Sequence, residues 1–115
     1  MTQARMDWDR LILDVDGHAS SAPRGQDIVC AAESMLTQAL LQTLMDMVEE
    51  DKVAISWTGS PEKGQLKIEA TPAEEYRKEI AAAYRVTVTG LRMLAEEYPD
   101  YIRLTEGGQE NGGNL

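Results

Sequence analysis

At 115 residues the chain has the length of one domain, and a chain of this size buries roughly two-thirds of its unfolded surface. The hydrophobic fraction of 43% suffices for one core, but with 5% aromatic residues and no Phe that core must be built from Leu, Ile, Val, Ala and Met. One Cys and one His exclude an internal disulfide and a Cys/His structural zinc cage, and a formal charge of −9 sets the chain against direct nucleic-acid binding and in favour of a basic partner.

The opening MTQARMDWDR lacks the apolar run of a secretion signal, and no stretch approaches the roughly 18 consecutive apolar residues of a membrane span. The expectation is a cytoplasmic protein without membrane association, whose lone thiol stays reduced. Residues 4–16 predict two short strands or a hairpin. Leu11, Leu13 and Val15 alternate with Ile12, Asp14 and Asp16, and Trp8 falls in the turn region. From Gly17 to Gln26 the run GHASSAPRGQ has no hydrophobic period, and its Gly, Ser and Pro predict an exposed, mobile loop.

Asp27 is placed to N-cap a helix reaching about Glu50, with Leu36, Ala39, Leu40, Thr43, Leu44, Met47 and Val48 on its buried face. Residues 53–58 and 66–70 predict a second hairpin, turning through TGSPEKGQ. Its inward residues are Val53, Ile55 and Trp57, and Leu66, Ile68 and Ala70. Thr71 and Glu74 read as a capping box around Pro72, opening a second helix with Tyr76, Ile80, Ala83, Tyr84, Leu91, Leu94 and Tyr98 on one stripe. Pro99 stops that helix, Tyr101 to Leu104 predict a last strand, and residues 107–115 predict a disordered tail after a single domain over 1–106. The order fits an α+β two-layer sandwich, a mostly antiparallel sheet with two main helices packed on it.

The two singletons flank the polar loop. Cys30 falls at the start of the first helix, where the partial positive charge of a helix N-terminus favours thiolate, and His18 ends a strand. Spacing leaves two readings open. One is an inert core thiol, since free Cys is among the most buried residue types and Ala31 and Ala32 suit close packing; the other is a thiolate–imidazolium pair. Asp27 is first of all a cap and Ser34 an ordinary helix residue, although Ser34 lies one turn beyond Cys30 on the same face.

The run Gly17-His18-Ala19, then Gly25, Asp27-Ile28-Val29-Cys30-Ala31-Ala32 and Ser34, resembles the signature of the ribosomal-processing cysteine proteases (Prp, the YsxB-like family). Thr71-Pro72, Gly90-Leu91 and Tyr98-Pro99 look like that family's second helix, so the resemblance runs from about Leu11 to Leu104. It implies His18 as general base, Cys30 as nucleophile, and Gly17, Asp27 and Ser34 as supporting positions, with no cofactor and no metal. It further implies a cytoplasmic homodimer that removes a short N-terminal extension from the twenty-seventh large-subunit ribosomal protein, a basic substrate. Two departures stand out. Ser20 and Ser21 follow GHA where the family often has Gly and an aromatic residue, and Glu33 occupies a commonly apolar position.

The chemistry expected is amide hydrolysis through a thioester, the oxyanion held by N–H groups at the helix start, that of Cys30 among them. A second class of function is a non-catalytic acidic module that binds a ribosomal protein or assembly factor, with Cys30 merely buried. A redox sensor is weaker still, since no second Cys can resolve a sulfenic acid within the chain.

Overall fold

Alternation of apolar and polar residues builds the first hairpin. In the computed structural model, which describes residues 1–17, 24–60 and 64–108 and of 24–27 the backbone alone, β1 (Thr2–Asp7) and β2 (Ile12–Asp16) pair antiparallel. Ala4 lies opposite Val15 and Met6 opposite Leu13. Leu11, Leu13 and Val15 are buried, as their period of two predicts. In the connecting turn the Asp7 carboxylate accepts the N–H groups of Asp9 and Arg10 at 3.0 and 3.2 Å, a side chain standing in for backbone. Trp8, at the turn, is buried to 2% exposure. Its indole donates to Glu106 Oε1 at 2.9 Å, and Arg92 donates to the other carboxylate oxygen at the same distance.

The first helix, α1 (Arg24–Glu49), begins three residues earlier than the cap expected at Asp27. Arg24 to Gln26 therefore belong to the helix, and Asp27 lies within its first turn. Residues 18–23, the rest of the expected loop, lie outside the described residues. The buried stripe is also rotated from the expected one: Val29, Glu33, Thr37, Leu40, Leu41 and Leu44 face inward, while Ala39 and Thr43 are exposed. Two polar members, Glu33 and Thr37, sit on the inward row and hid it from a count of apolar residues. By length and composition Ile28–Glu49 is apolar enough to cross a bilayer, a property that the search for an unbroken apolar run passed over. Its stripe instead packs on α2, β3 and β4, as in a core helix.

The second hairpin forms as expected from β3 (Val53–Ser60) and β4 (Gln65–Pro72), with Ile55 opposite Ala70 and Trp57 opposite Ile68. Trp57 remains 43% exposed because β3 is a sheet edge. The capping box does not form. Thr71 and Pro72 are the last residues of β4, in register with Ala54 and Val53, so strand pairing takes both away from the helix start. A 3₁₀ turn over Glu74–Tyr76 intervenes, and α2 (Arg77–Glu97) follows with no side-chain cap. Its core face carries Ile80, Ala81, Tyr84, Thr87, Val88 and Leu91. It ends before Pro99, the Tyr98 N–H closing on the Leu94 carbonyl at 2.7 Å.

The last strand, β5 (Ile102–Gly107), outruns the predicted Tyr101–Leu104 and pairs parallel with β1, Thr2 beside Ile102. Residues 109–115 of the expected tail lie outside the described residues. The sheet order is β3-β4-β2-β1-β5, with one parallel and three antiparallel pairs, and both helices cover one face. This is the α+β two-layer sandwich expected. Where the helices cross, a Cβ on Gly90 would stand 2.7 Å from Leu36 Cδ2, so glycine there permits the close approach. The uncovered sheet face is polar, with Arg5, Asp14 and Lys67 abreast across β1, β2 and β4.

Candidate active site

Two elements carry the described part of the site: the end of β2 and the first half of α1. Gly17 follows β2 directly, and its N–H donates to the Gly64 carbonyl at 2.9 Å. A Cβ at Gly17 would lie 2.5 Å from Thr2 Oγ1 and 3.2 Å or less from two carbons of the same side chain. Thr2 is β-branched and fully buried, with little freedom to give way, and its hydroxyl has no hydrogen-bond partner among the described residues. Gly17 is thus a close-approach glycine that lets the chain pass over β1 just before His18. His18 itself lies outside the described residues, as do Ser20, Ser21 and the side chain of Asp27.

Cys30 lies six residues after Arg24, in the second turn of α1, and is half-buried. This placement corrects two expectations. The unpaired N–H groups of a helix belong to its cap and first three residues, so in a helix that starts at Arg24 the Cys30 amide is directed along the helix toward the carbonyl four residues back rather than into the site. The influence of the helix dipole likewise falls off after the first turn. Ser34, also half-buried, shares the face of Cys30 one turn on, as the spacing predicts.

Beside this face runs the buried row Val29, Glu33 and Thr37. Glu33 is 3% exposed. The Thr37 hydroxyl lies 3.3 Å from Glu33 Oε2, 3.1 Å from the Glu33 carbonyl and 3.2 Å from the Ser34 carbonyl, and can donate to one of them at a time. Burial pushes the Glu33 carboxyl up to about 7, against the opposing pull of the Thr37 hydroxyl. Sequence reasoning noted Glu33 only as a departure. Extending the three-to-four spacing backwards from Leu44 and Leu40 through Thr37 to Glu33 would have placed it in the core.

The sequence model of the family described as "Cysteine protease Prp" matches residues 1–103, a span holding both singletons. The chain belongs to this family. It is accordingly a cysteine protease, which decides against the non-catalytic module. The structure is similar to two of the essential ribosomal processing protease Prp from S. aureus. One, with a substrate peptide, gives a TM-score of 0.76 at 19% identity; the other, with a covalently linked product peptide, gives 0.74 at 20%. In each case 93% of this chain aligns with 100% of the other. SMU.848 from Streptococcus mutans gives 0.73 at 23% identity, with 94% and 96% covered. These likenesses establish the Prp fold over nearly the whole chain. No curated protein matches the sequence.

Proposed function

We propose that this Prp-family chain is a ribosomal-processing endopeptidase in which Cys30 is the nucleophile and His18 the general base, with Gly17, Asp27 and Ser34 supporting them. The observation that carries this reading is the family match across residues 1–103, which takes in the chain's only thiol and only imidazole. His18 takes the Cys30 proton, and the thiolate attacks the scissile carbonyl. The resulting tetrahedral intermediate expels the amine, which receives that proton from the imidazolium, and a thioester remains. Water then gives a proton to His18 and its oxygen to the acyl carbon, releasing the new carboxylate and restoring Cys30. Gly17 fixes the path of the backbone entering His18, and Ser34 supplies a hydroxyl on the Cys30 face of α1.

The substrate proposed is the N-terminal extension of the twenty-seventh large-subunit ribosomal protein, cleaved in the cytoplasm by a homodimer. The S. aureus relative is a ribosomal processing protease that has been solved with a substrate peptide. The formal charge of −9 suits a basic ribosomal protein. The experiment is to incubate the enzyme with the extended ribosomal protein and weigh the products by mass spectrometry. Wild type should release the extension at one bond, while Cys30→Ala and His18→Ala should each lose at least about a thousandfold in rate. Cleavage that persists in both variants would defeat the assignment.

A further inference from the structure

The sheet ends in two edges that differ in kind, β3 on one side and β5 on the other. An edge strand presents a row of unpaired N–H and C=O groups, a template that proteins ordinarily blunt with charge or proline. The β5 edge is blunted: it carries Arg103 and Glu106, and Glu106 is tied down by Trp8 and Arg92. The β3 edge is not. Its run VAISWTGS includes no charge and no proline, in a chain of which 27% is charged. In an antiparallel pair alternate residues direct both backbone groups away from the partner strand. Within Ala54 to Gly59 such outward groups meet nothing among the described residues.

This edge leads to the proposed nucleophile. α1 packs on β3 and β4, and Glu50, Asp51 and Lys52 turn the chain straight back from α1 into β3, the Lys52 N–H donating to the Met47 carbonyl at 3.0 Å. Helix and strand therefore run side by side in opposite directions. From Glu49 back to Cys30 is about 28 Å of helix, and from Val53 on to Ser60 is about 23 Å of strand. Cys30 and the end of β3 thus lie at the same end of the molecule. Gly17 lies there too, since Ser60 stands opposite Gln65 and the adjoining Gly64 accepts the Gly17 N–H at 2.9 Å. Trp57 is in register with the buried Ile68, so its indole stands on the helix side of the sheet, and at 43% exposure it offers an apolar wall beside the edge.

We propose that the β3 edge is the substrate dock: about six residues of extended peptide, on one side of the scissile bond, pair with Ala54 to Gly59 as an added strand and deliver that bond to Cys30. The proposal rests on Cys30 being the nucleophile. Main-chain pairing supplies the affinity, and every second side chain of the peptide faces Trp57, which favours apolar residues at alternate positions. The missing charge on β3 suits this occupant, because a lysine that kept stray strands away would hinder the substrate as well.

The test is amide hydrogen exchange, read by NMR in Cys30→Ala with and without saturating uncut peptide that spans the ribosomal-protein extension and its cleavage site. Alternate amides within 54–59 should exchange at least about tenfold more slowly with the peptide, and those of 102–107 should be unchanged. Protection at the β5 edge instead, or none at β3, overturns the proposal. So does protection at β3 that needs no peptide and fades on dilution, which would mean that a second copy of the chain occupies the edge. Cleavage of the same peptide by wild type is scored separately. A peptide that is cut while β3 stays unprotected defeats the dock and leaves the proposed function standing. If Cys30→Ala fails to fold, wild type decides through peptides N-methylated at one amide at a time. Their kcat/KM should fall about tenfold at every second position of the paired stretch and little between, and a loss without alternation overturns the proposal.

Discussion

Glu33 ties stability to pH. Burial raises its carboxyl from the ordinary 4.5 to about 7, so the folded state holds a proton that the unfolded chain has already released. The stabilisation is therefore complete below about 4.5 and is lost as pH rises through about 7, a change of roughly 3 kcal/mol. Urea unfolding at pH 4.5 and pH 8 should show wild type losing that much more than Glu33→Gln between the two. Parallel losses would mean the carboxyl is solvated. Glu106 acts in the opposite sense. Partial burial pulls its carboxyl up, but the hydrogen bonds from Trp8 and Arg92 and the Arg92 charge outweigh this and hold it below the ordinary value. Its contribution is present above that value and fades as pH falls.

At the level of elements, the junction between β4 and α2 shows strand pairing prevailing over a local helix signal. Thr71 is exposed and in register with Ala54, so Thr71→Val exchanges one β-branched residue for another and should leave the unfolding midpoint unchanged or slightly higher. A true capping box would lose about 1 kcal/mol on the same change, and a drop of that size in thermal unfolding would restore it. The error is instructive: Thr71-Pro72-Ala73-Glu74 satisfies every local rule for a helix start, but the ladder with Val53 and Ala54 is a contact across the fold. Strands with alternating residues, the stop at Pro99 and the α+β layering were all legible because each rests on periodicity or on backbone sterics. The start of α1 was not, since Gly25 and Pro23 argue locally for a loop. In the site, Cys30 and Ser34 share a face by helical arithmetic alone. The role of Gly17 as a close-approach residue needed Thr2, fifteen positions away and on another strand.

At the scale of the whole molecule, charge becomes a kinetic matter. A chain at −9 attracts a basic substrate beyond contact distance, and salt screens that attraction with a range of about 10 Å at 0.1 M. For a basic ribosomal substrate kcat/KM should fall severalfold between low and moderate salt while kcat holds. Equal loss in both would place the effect in the chemistry rather than the encounter.

The parallel pair of β1 and β5 closes the sheet with the first and last of its five strands, Thr2 beside Ile102 and Asp7 beside Gly107. During synthesis β1 emerges first, and one of its edges stays open until the last strand leaves the exit tunnel. The Trp8 indole waits as long for Glu106. The sheet is thus completed last by the strand that is translated last of the five, and the fold waits on a contact between Thr2 and Ile102 that no local segment can make for it.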